Sequence, residues 1–274
     1  MLSNKKTGFI GSGAMGQALI GGILKAGLTE AKNIFAMDSS DECLKYVSEK
    51  FKVNTLKTDT EESFAAIKEI DILFLTVKPN VVFKSLKKNA AFISSTTTVV
   101  SVAAGVSILD LEERLPNVAV VRVMPNTPAA VGEGMSVLVP GTYAKEQDFL
   151  NIKEIFSSVG KVITLDEASL DAVTALSGSG PGYAFVIIDA LADAGVKVGL
   201  SRQNSIILAA QTLLGAAKMV LETNEHPAVL RDKVTSPGGT TITGIQVLEE
   251  NGVRGALIEA VEAAYLRCQE LGKK

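Results

Sequence analysis

The 274-residue sequence has no tryptophan, a single histidine and two cysteines, and only 5% of its residues are aromatic. Cys43 and Cys268 lie far apart, and neither has a second metal-binding residue close by, so neither a disulfide framework nor a zinc site is indicated. His226 precedes Pro227 at a helix start and reads as structural. Basic charge is not in excess: 27 Lys and Arg stand against 30 Asp and Glu, a net charge of -3. No cationic face is therefore expected for nucleic acid. A clean apolar run of the ~20 residues that a membrane span needs is also missing. The most apolar helical window, "YAFVIIDALADAGVKVGL", is broken by Asp189, Asp193 and Lys197, and is expected to be a core or interface helix. "MLSNKKTGFIG" reaches an apolar strand within a few residues, which leaves no room for a targeting peptide. A cytoplasmic protein is the expectation.

What is present is a 47% hydrophobic, 21% charged chain of ordinary globular composition. Up to about residue 165, short β-rich runs alternate with amphipathic stretches: "GFIG", "NIFAM", "DILFLTV", "TVVSVAA", "VAVVRVM", "MSVLV" and "KVITL". Several are apolar throughout, as when helices cover both faces of a mostly parallel sheet. After "LDEASLDAVTALSGSGPG" the β-runs stop and helical patterns follow at roughly 183–198, 202–222, 239–250 and 253–271. The fold expected is α/β, with a doubly wound domain over 1–168 and an all-helical domain over 169–274. "IILAAQTLLGAAKMVL" is apolar around more of its circumference than one buried stripe requires, which points to another subunit.

"GFIGSGAMGQALIGGIL" puts Gly11, Gly13 and Gly16 in the GxGxxG spacing, directly after a strand and at a helix start. The first glycine makes the turn, the second admits a pyrophosphate, and the third packs helix on strand. Ile10, Gly11, Ser12, Gly13, Ala14 and Met15 are thus expected to hold a dinucleotide. Asp38 follows at roughly the 20-residue spacing of a ribose-binding carboxylate, which favours NADH. Ser39 and Ser40 come next and offer hydroxyls and N–H groups to a 2′-phosphate, or else an N-cap to the next helix. No arginine stands beside them. Val77, Lys78 and Pro79, then Ala103 and Ala104, then Asn126 close later strands at the same sheet edge, where doubly wound folds bind ligands. Lys78 also reads as an ordinary solvated loop lysine.

Late in the chain "RDKVTSPGGTTITGIQVLE" sets Ser236, Pro237, Gly238 and Gly239 between two helical patterns, with Thr240 and Thr241 opening the second. A linker with a helix cap is one reading. The other is an anion cradle of backbone N–H groups at a helix N-terminus, with the Ser236 hydroxyl beside it.

The motifs "GFIGSGAMG", "LTVKP", "SVAAGVS", "RVMPNTP", "ALSGSGPGYAF" and above all "VTSPGGTTITGIQVLE" are similar to those of the pyrroline-5-carboxylate reductases. The resemblance spans nearly the whole chain, and it implies that 1–168 is a Rossmann dinucleotide-binding domain and 169–274 a helical dimerisation domain. It implies NAD(P)H-dependent reduction of the cyclic imine 1-pyrroline-5-carboxylate to L-proline, with NADPH expected and NADH possible, and a dimer or an assembly of dimers. It also implies a hydrogen bond from Thr241 to the imine nitrogen, and substrate contacts from Val77, Ser236, Gly238, Gly239, Thr240 and Thr241. Lys233 stands where relatives are expected to carry a neutral polar side chain, and Glu167 matches a residue that reaches the cofactor in relatives. A β-hydroxyacid dehydrogenase would need a lysine on the first long helix after the glycine cluster, and none occurs before Lys197. A nonenzymatic redox sensor would have no use for an intact "SPGGTT".

Overall fold

The computed structural model describes residues 2–272. Eight strands form one sheet: β1 (Thr7–Ile10), β2 (Ile34–Asp38), β3 (Asn54–Lys57), β4 (Ile72–Leu75), β5 (Thr98–Ser101), β6 (Ala119–Met124), β7 (Gly134–Pro140) and β8 (Gly160–Thr164). Their order is β3-β2-β1-β4-β5-β6-β7-β8, parallel from β3 to β6. Strand β7 runs antiparallel to β6, and β8 lies parallel to β7. Seven strands coincide with the seven β-rich runs. β3, "NTLK", has no apolar run behind it because it is a four-residue edge strand with exposed ends.

Helices α1 (Ala14–Lys25), α2 (Asp41–Phe51), α3 (Glu61–Ile67), α4 (Pro79–Asn89), α5 (Ile108–Glu112), α6 (Glu146–Ser157) and α7 (Leu170–Val173) accompany the sheet. Because strand side chains alternate faces, neighbours such as Phe9 and Ile10, or Leu73 and Phe74, enter different cores. One core packs Phe9, Phe74 and Val121 against Leu19, Ile23, Ile155 and Phe156. There Phe9 and Phe74 stack with centroids 4.7 Å apart. The other packs Ile10, Leu75, Val99 and Val120 with Val82, Leu86 and Leu111. Two apolar faces explain why the strands read as continuous hydrophobic runs.

The chain forms two compact units, one comprising residues up to Gly178 and from Tyr265 onward, the other Ser179–Ala264. The second contains α8 (Gly180–Lys197), α9 (Arg202–Thr223), α10 (Pro227–Lys233), α11 (Thr240–Glu250) and most of α12 (Val253–Gly272). α8 and α9 approach closely at Gly195, where a Cβ would lie 2.5 Å from Ser205 Oγ. Within Ser179–Ala264 only Ala192, Ser205 and Ala209 are buried, while Phe185, Val186, Ile207, Leu208 and Ile258 are exposed. By length and composition alone, the helical stretches Glu167–Lys197 and Arg202–Thr223 are apolar enough to cross a membrane. That corrects the expectation that no window reaches such a length: the few charges in each are spread widely enough to leave apolar spans between them.

Candidate functional site

The parallel strands β1, β2, β4, β5 and β6 all end at one edge of the sheet, and the glycine turn lies there. Gly11 leaves β1 with φ +102°, a conformation that L side chains rarely adopt, and a Cβ on it would sit 2.7 Å from Thr76 O. Gly16 has no more room, since its Cβ would lie 2.6 Å from Gly11 O. Gly13 differs from both. It is the N-cap of α1 with no side chain capping it, and a Cβ there would meet nothing within 4 Å. Open space in front of unpaired first-turn N–H groups, at Ala14, Met15 and Gly16, is what a phosphate needs. The residues present therefore suit a pyrophosphate. Ser12 is fully buried in this turn, and its Oγ has no hydrogen-bond partner.

Asp38 ends β2 with both carboxylate oxygens in use: Oδ2 accepts from Ser12 N at 2.6 Å and Oδ1 from Ser40 N at 2.9 Å. Its charge ties the glycine turn to the next loop and retains further lone pairs for a ribose hydroxyl. Ser40 is the N-cap of α2, its Oγ accepting from Cys43 N. With the Ser40 N–H on Asp38 and its hydroxyl on the cap, Ser39 is the more accessible of the two donors. A cavity of about 330 Å³ opens here, lined by Ile10, Gly11, Asp38, Ser39, Val77 and, from α4, Lys84. A larger cleft of about 480 Å³, flanked by α1 and α2, takes in only Ala14 of the expected residues.

Lys78 is the N-cap of α4 and exposed, with Pro79 as the first helical residue. Ala103 is buried and Ala104 half-buried just past β5. Asn126, just past β6, uses both ends of its amide: Nδ2 donates to Ser177 O at 3.0 Å and Oδ1 accepts from Met135 N at 2.8 Å. It thereby fastens the π-helical turn Thr174–Gly178 to the edge of the sheet. Glu167 is held in the same unit. Its Oε1 accepts from Arg122 Nη1 and from Ile108 N, both at 2.7 Å. Arg122 is only 7% exposed, and its Nε has no partner. Sequence reading passed over this arginine; the available signal was one charge inside the apolar run "VAVVRVM", which demands a buried partner. Nearby, burial pushes the Cys268 thiol up, and the Asp171 carboxylate 3.3 Å away adds to the shift.

In the other unit, Ser236 to Gly239 form a turn closed by Gly239 N donating to Ser236 O at 3.0 Å. Pro237 and Gly238, the latter with φ +65°, occupy the positions of a type II turn. Gly239 then serves as the N-cap of α11, without a side-chain cap. Capping therefore does not account for the Ser/Thr content of this segment, and the first N–H groups of α11, from Thr240, Thr241 and Ile242, are left to a ligand or water. A Cβ on Gly239 would fall 2.3 Å from Ser236 Oγ, so the serine hydroxyl stands over this glycine. Lys233 pairs with both oxygens of Glu225, at 2.7 and 2.5 Å, which neutralises the cation that sequence reading left open. His226 caps α10 through Nδ1, as a structural role requires.

Known proteins match this chain along most of its length. The family pattern "Pyrroline-5-carboxylate reductase dimerisation" matches residues 167–271, and "NADP oxidoreductase coenzyme F420-dependent" matches residues 6–105. A pyrroline-5-carboxylate reductase of Arabidopsis thaliana is 45% identical over 98% of this chain and 96% of its own length. One from Methanosarcina acetivorans is 45% identical over the full length of both. The crystal structure of Plasmodium falciparum pyrroline carboxylate reductase with NADP bound superposes with a TM-score of 0.88 at 33% identity, covering 99% of this chain and all of that one. With identity of this level running from the glycine turn through the start of α11, the chain belongs to the pyrroline-5-carboxylate reductase family.

Proposed function

We propose that this protein reduces 1-pyrroline-5-carboxylate to L-proline, the final step of proline biosynthesis, with NADPH preferred and NADH accepted. Family membership supports the reaction. The structural observation that carries the reading is the start of α11, whose free N–H groups follow a Pro-Gly-Gly turn with a serine hydroxyl beside it. A helix N-terminus of this kind attracts a carboxylate through its N–H groups and its dipole. Gly238, Gly239 and Thr240 shape this anion seat, and Ser236 adds a donor.

The C=N bond gains hydride, with its two electrons, at carbon and a proton from solvent at nitrogen. When bound, the reduced nicotinamide supplies hydride. The Thr241 hydroxyl donates a hydrogen bond to the ring nitrogen, which stabilises the charge that shifts there as the double bond is lost. Ile10 to Met15 receive the pyrophosphate at the α1 N-terminus. Asp38 takes the ribose, with Ser39 and Ser40 at its edge, and Val77, Lys78, Pro79, Ala103, Ala104 and Asn126 line the nicotinamide half. Asn126 does so as a brace, since both ends of its amide are already engaged.

The exposed apolar helices, within the span of the dimerisation pattern, support a homodimer or an assembly of dimers rather than a membrane span. Two free cysteines fit a reducing cytoplasm, and the absence of a net positive charge fits a small-molecule enzyme without a nucleic-acid partner. In this reading residues 1–168 hold the cofactor, and residues 169–274, nearly the span of the dimerisation pattern, serve substrate and assembly. The test is steady-state reduction of 1-pyrroline-5-carboxylate with each cofactor in turn. Turnover with NADPH and, less efficiently, with NADH is expected; none with either overturns the reading.

A further inference from the structure

The cavity beyond Asp38 carries four charged side chains: Asp38, Asp59, Lys84 and Lys88. Three are already engaged. Lys88 forms an ion pair with Asp59, and Asp38 accepts from two backbone N–H groups. Lys84, exposed in the second turn of α4, is the remaining cation of the cavity, and among the described residues no carboxylate pairs with it. Ser39 and Thr58 line the same cavity with hydroxyls.

A phosphate monoester at neutral pH carries nearly two negative charges. Seated beside Asp38 it would be repelled unless a free cation answers that charge, and Lys88 is already balanced by Asp59. Resting on the reading that the chain is a dinucleotide-dependent reductase, we propose that Lys84 is its specificity-determining residue for a 2′-phosphorylated cofactor. The ammonium of Lys84 meets the 2′-phosphate of a ribose seated at Asp38, and the hydroxyls of Ser39 and Thr58 add donors. A lysine serves here as a point charge, without the bidentate fork of an arginine. It lies far along the chain from the serines, which is why no basic residue stands beside them in sequence. An exposed cation is screened by salt, so the preference it confers declines with ionic strength.

The experiment is calorimetric titration of the full-length protein with two cofactor fragments, 2′,5′-ADP and 5′-AMP, which differ only in the phosphate. The wild-type protein is expected to prefer 2′,5′-ADP. Lys84→Ala lowers the ratio of the two affinities about tenfold, as the loss of one charge-assisted contact does. Lys84→Glu lowers it further, Lys84→Arg restores most of it, and raising the salt to about 0.5 M narrows the wild-type ratio. A ratio unchanged in Lys84→Ala, or a loss that weakens both fragments equally, overturns the assignment of Lys84 alone. A wild-type protein that binds neither fragment overturns the assignment together with the reductase reading.

Discussion

The α/β unit and the helical unit draw on the same apolar residue types and use them differently. In the first, Phe9, Phe74, Leu75 and Val120 alternate across the strands and disappear into two cores that the unit itself supplies. In the second, helices of comparable hydrophobicity bury three residues, and Phe185, Val186 and Ile258 each keep more than 60% of their surface exposed. Apolar content alone therefore does not reveal whether a segment owns its core; what differs is the distribution. One stripe per helix matches one neighbour, whereas an apolar girdle calls for a surface on another chain.

The comparison can be broken most forcefully in α9. Ile207→Asp with Leu208→Asp puts two charges on the apolar girdle and should abolish the dimer at micromolar concentration in light scattering, with activity falling in parallel. In the α/β unit, Leu109→Asp, on a side chain that is 67% exposed, should leave assembly intact. If the double variant remains an active dimer, the girdle is not the interface. Next in size is the buried pair of the first unit. Glu167→Ala leaves the Arg122 guanidinium without its carboxylate and should cost about 2–3 kcal/mol in denaturant unfolding, moderated because Glu167 is partly solvated. Arg122→Met combined with Glu167→Leu should recover most of that loss; a double variant as unstable as the single would assign the cost to packing instead.

Thr241→Val removes a hydroxyl from α11 and keeps the N–H, so carboxylate binding should survive while kcat falls about 10–10²-fold. Thr241→Ser should retain most of the activity, and a Thr241→Val enzyme at the parent rate would end the polarising role. The smallest effects separate the two serines after β2. Ser39→Ala should raise KM for NADPH about threefold with little change for NADH. Ser40→Ala should instead cost about 1 kcal/mol of stability, as loss of an N-cap does. Equal effects of Ser39→Ala on both cofactors would remove this serine from the 2′-phosphate.

Much of the α/β unit was legible because a sheet covered on both faces writes continuous apolar runs, and because Gly11 and Gly16 each meet a separate steric demand while Gly13 leaves the start of α1 open. β3 was not, since an edge strand of four residues buries too little to leave a pattern. Local geometry was legible where near neighbours set it, in the glycine turn and in the Ser236–Gly239 turn ahead of α11. It was illegible where partners are distant: Arg122 with Glu167, Asp38 with the Ser12 N–H, and Lys84 lining the same cavity as Ser39. Lys233 shows the intermediate case, for its partner Glu225 lies on the far side of a short helix start. No sequence pattern separates that pairing from a free cation.

Gly238 and Gly239 are adjacent and chemically identical, yet their mutational histories are bound by different rules. Gly238 is constrained by handedness: its φ of +65° disfavours an L side chain, although a Cβ there meets no atom within 4 Å. No substitution elsewhere relieves that, and only a residue at ease in the mirror-image region, such as asparagine or a D-amino acid placed by chemical synthesis, fits the position. Gly239 is constrained by a neighbour, the Ser236 hydroxyl. Removing or turning that hydroxyl relieves the closest contact, while the carbonyl oxygen of residue 236, 3.1 Å from a Cβ, keeps the site tight, so position 239 is coupled to 236 and 238 is not. Alanine at 239 is therefore expected to be better tolerated when residue 236 carries no side-chain oxygen, a dependence that does not extend to 238.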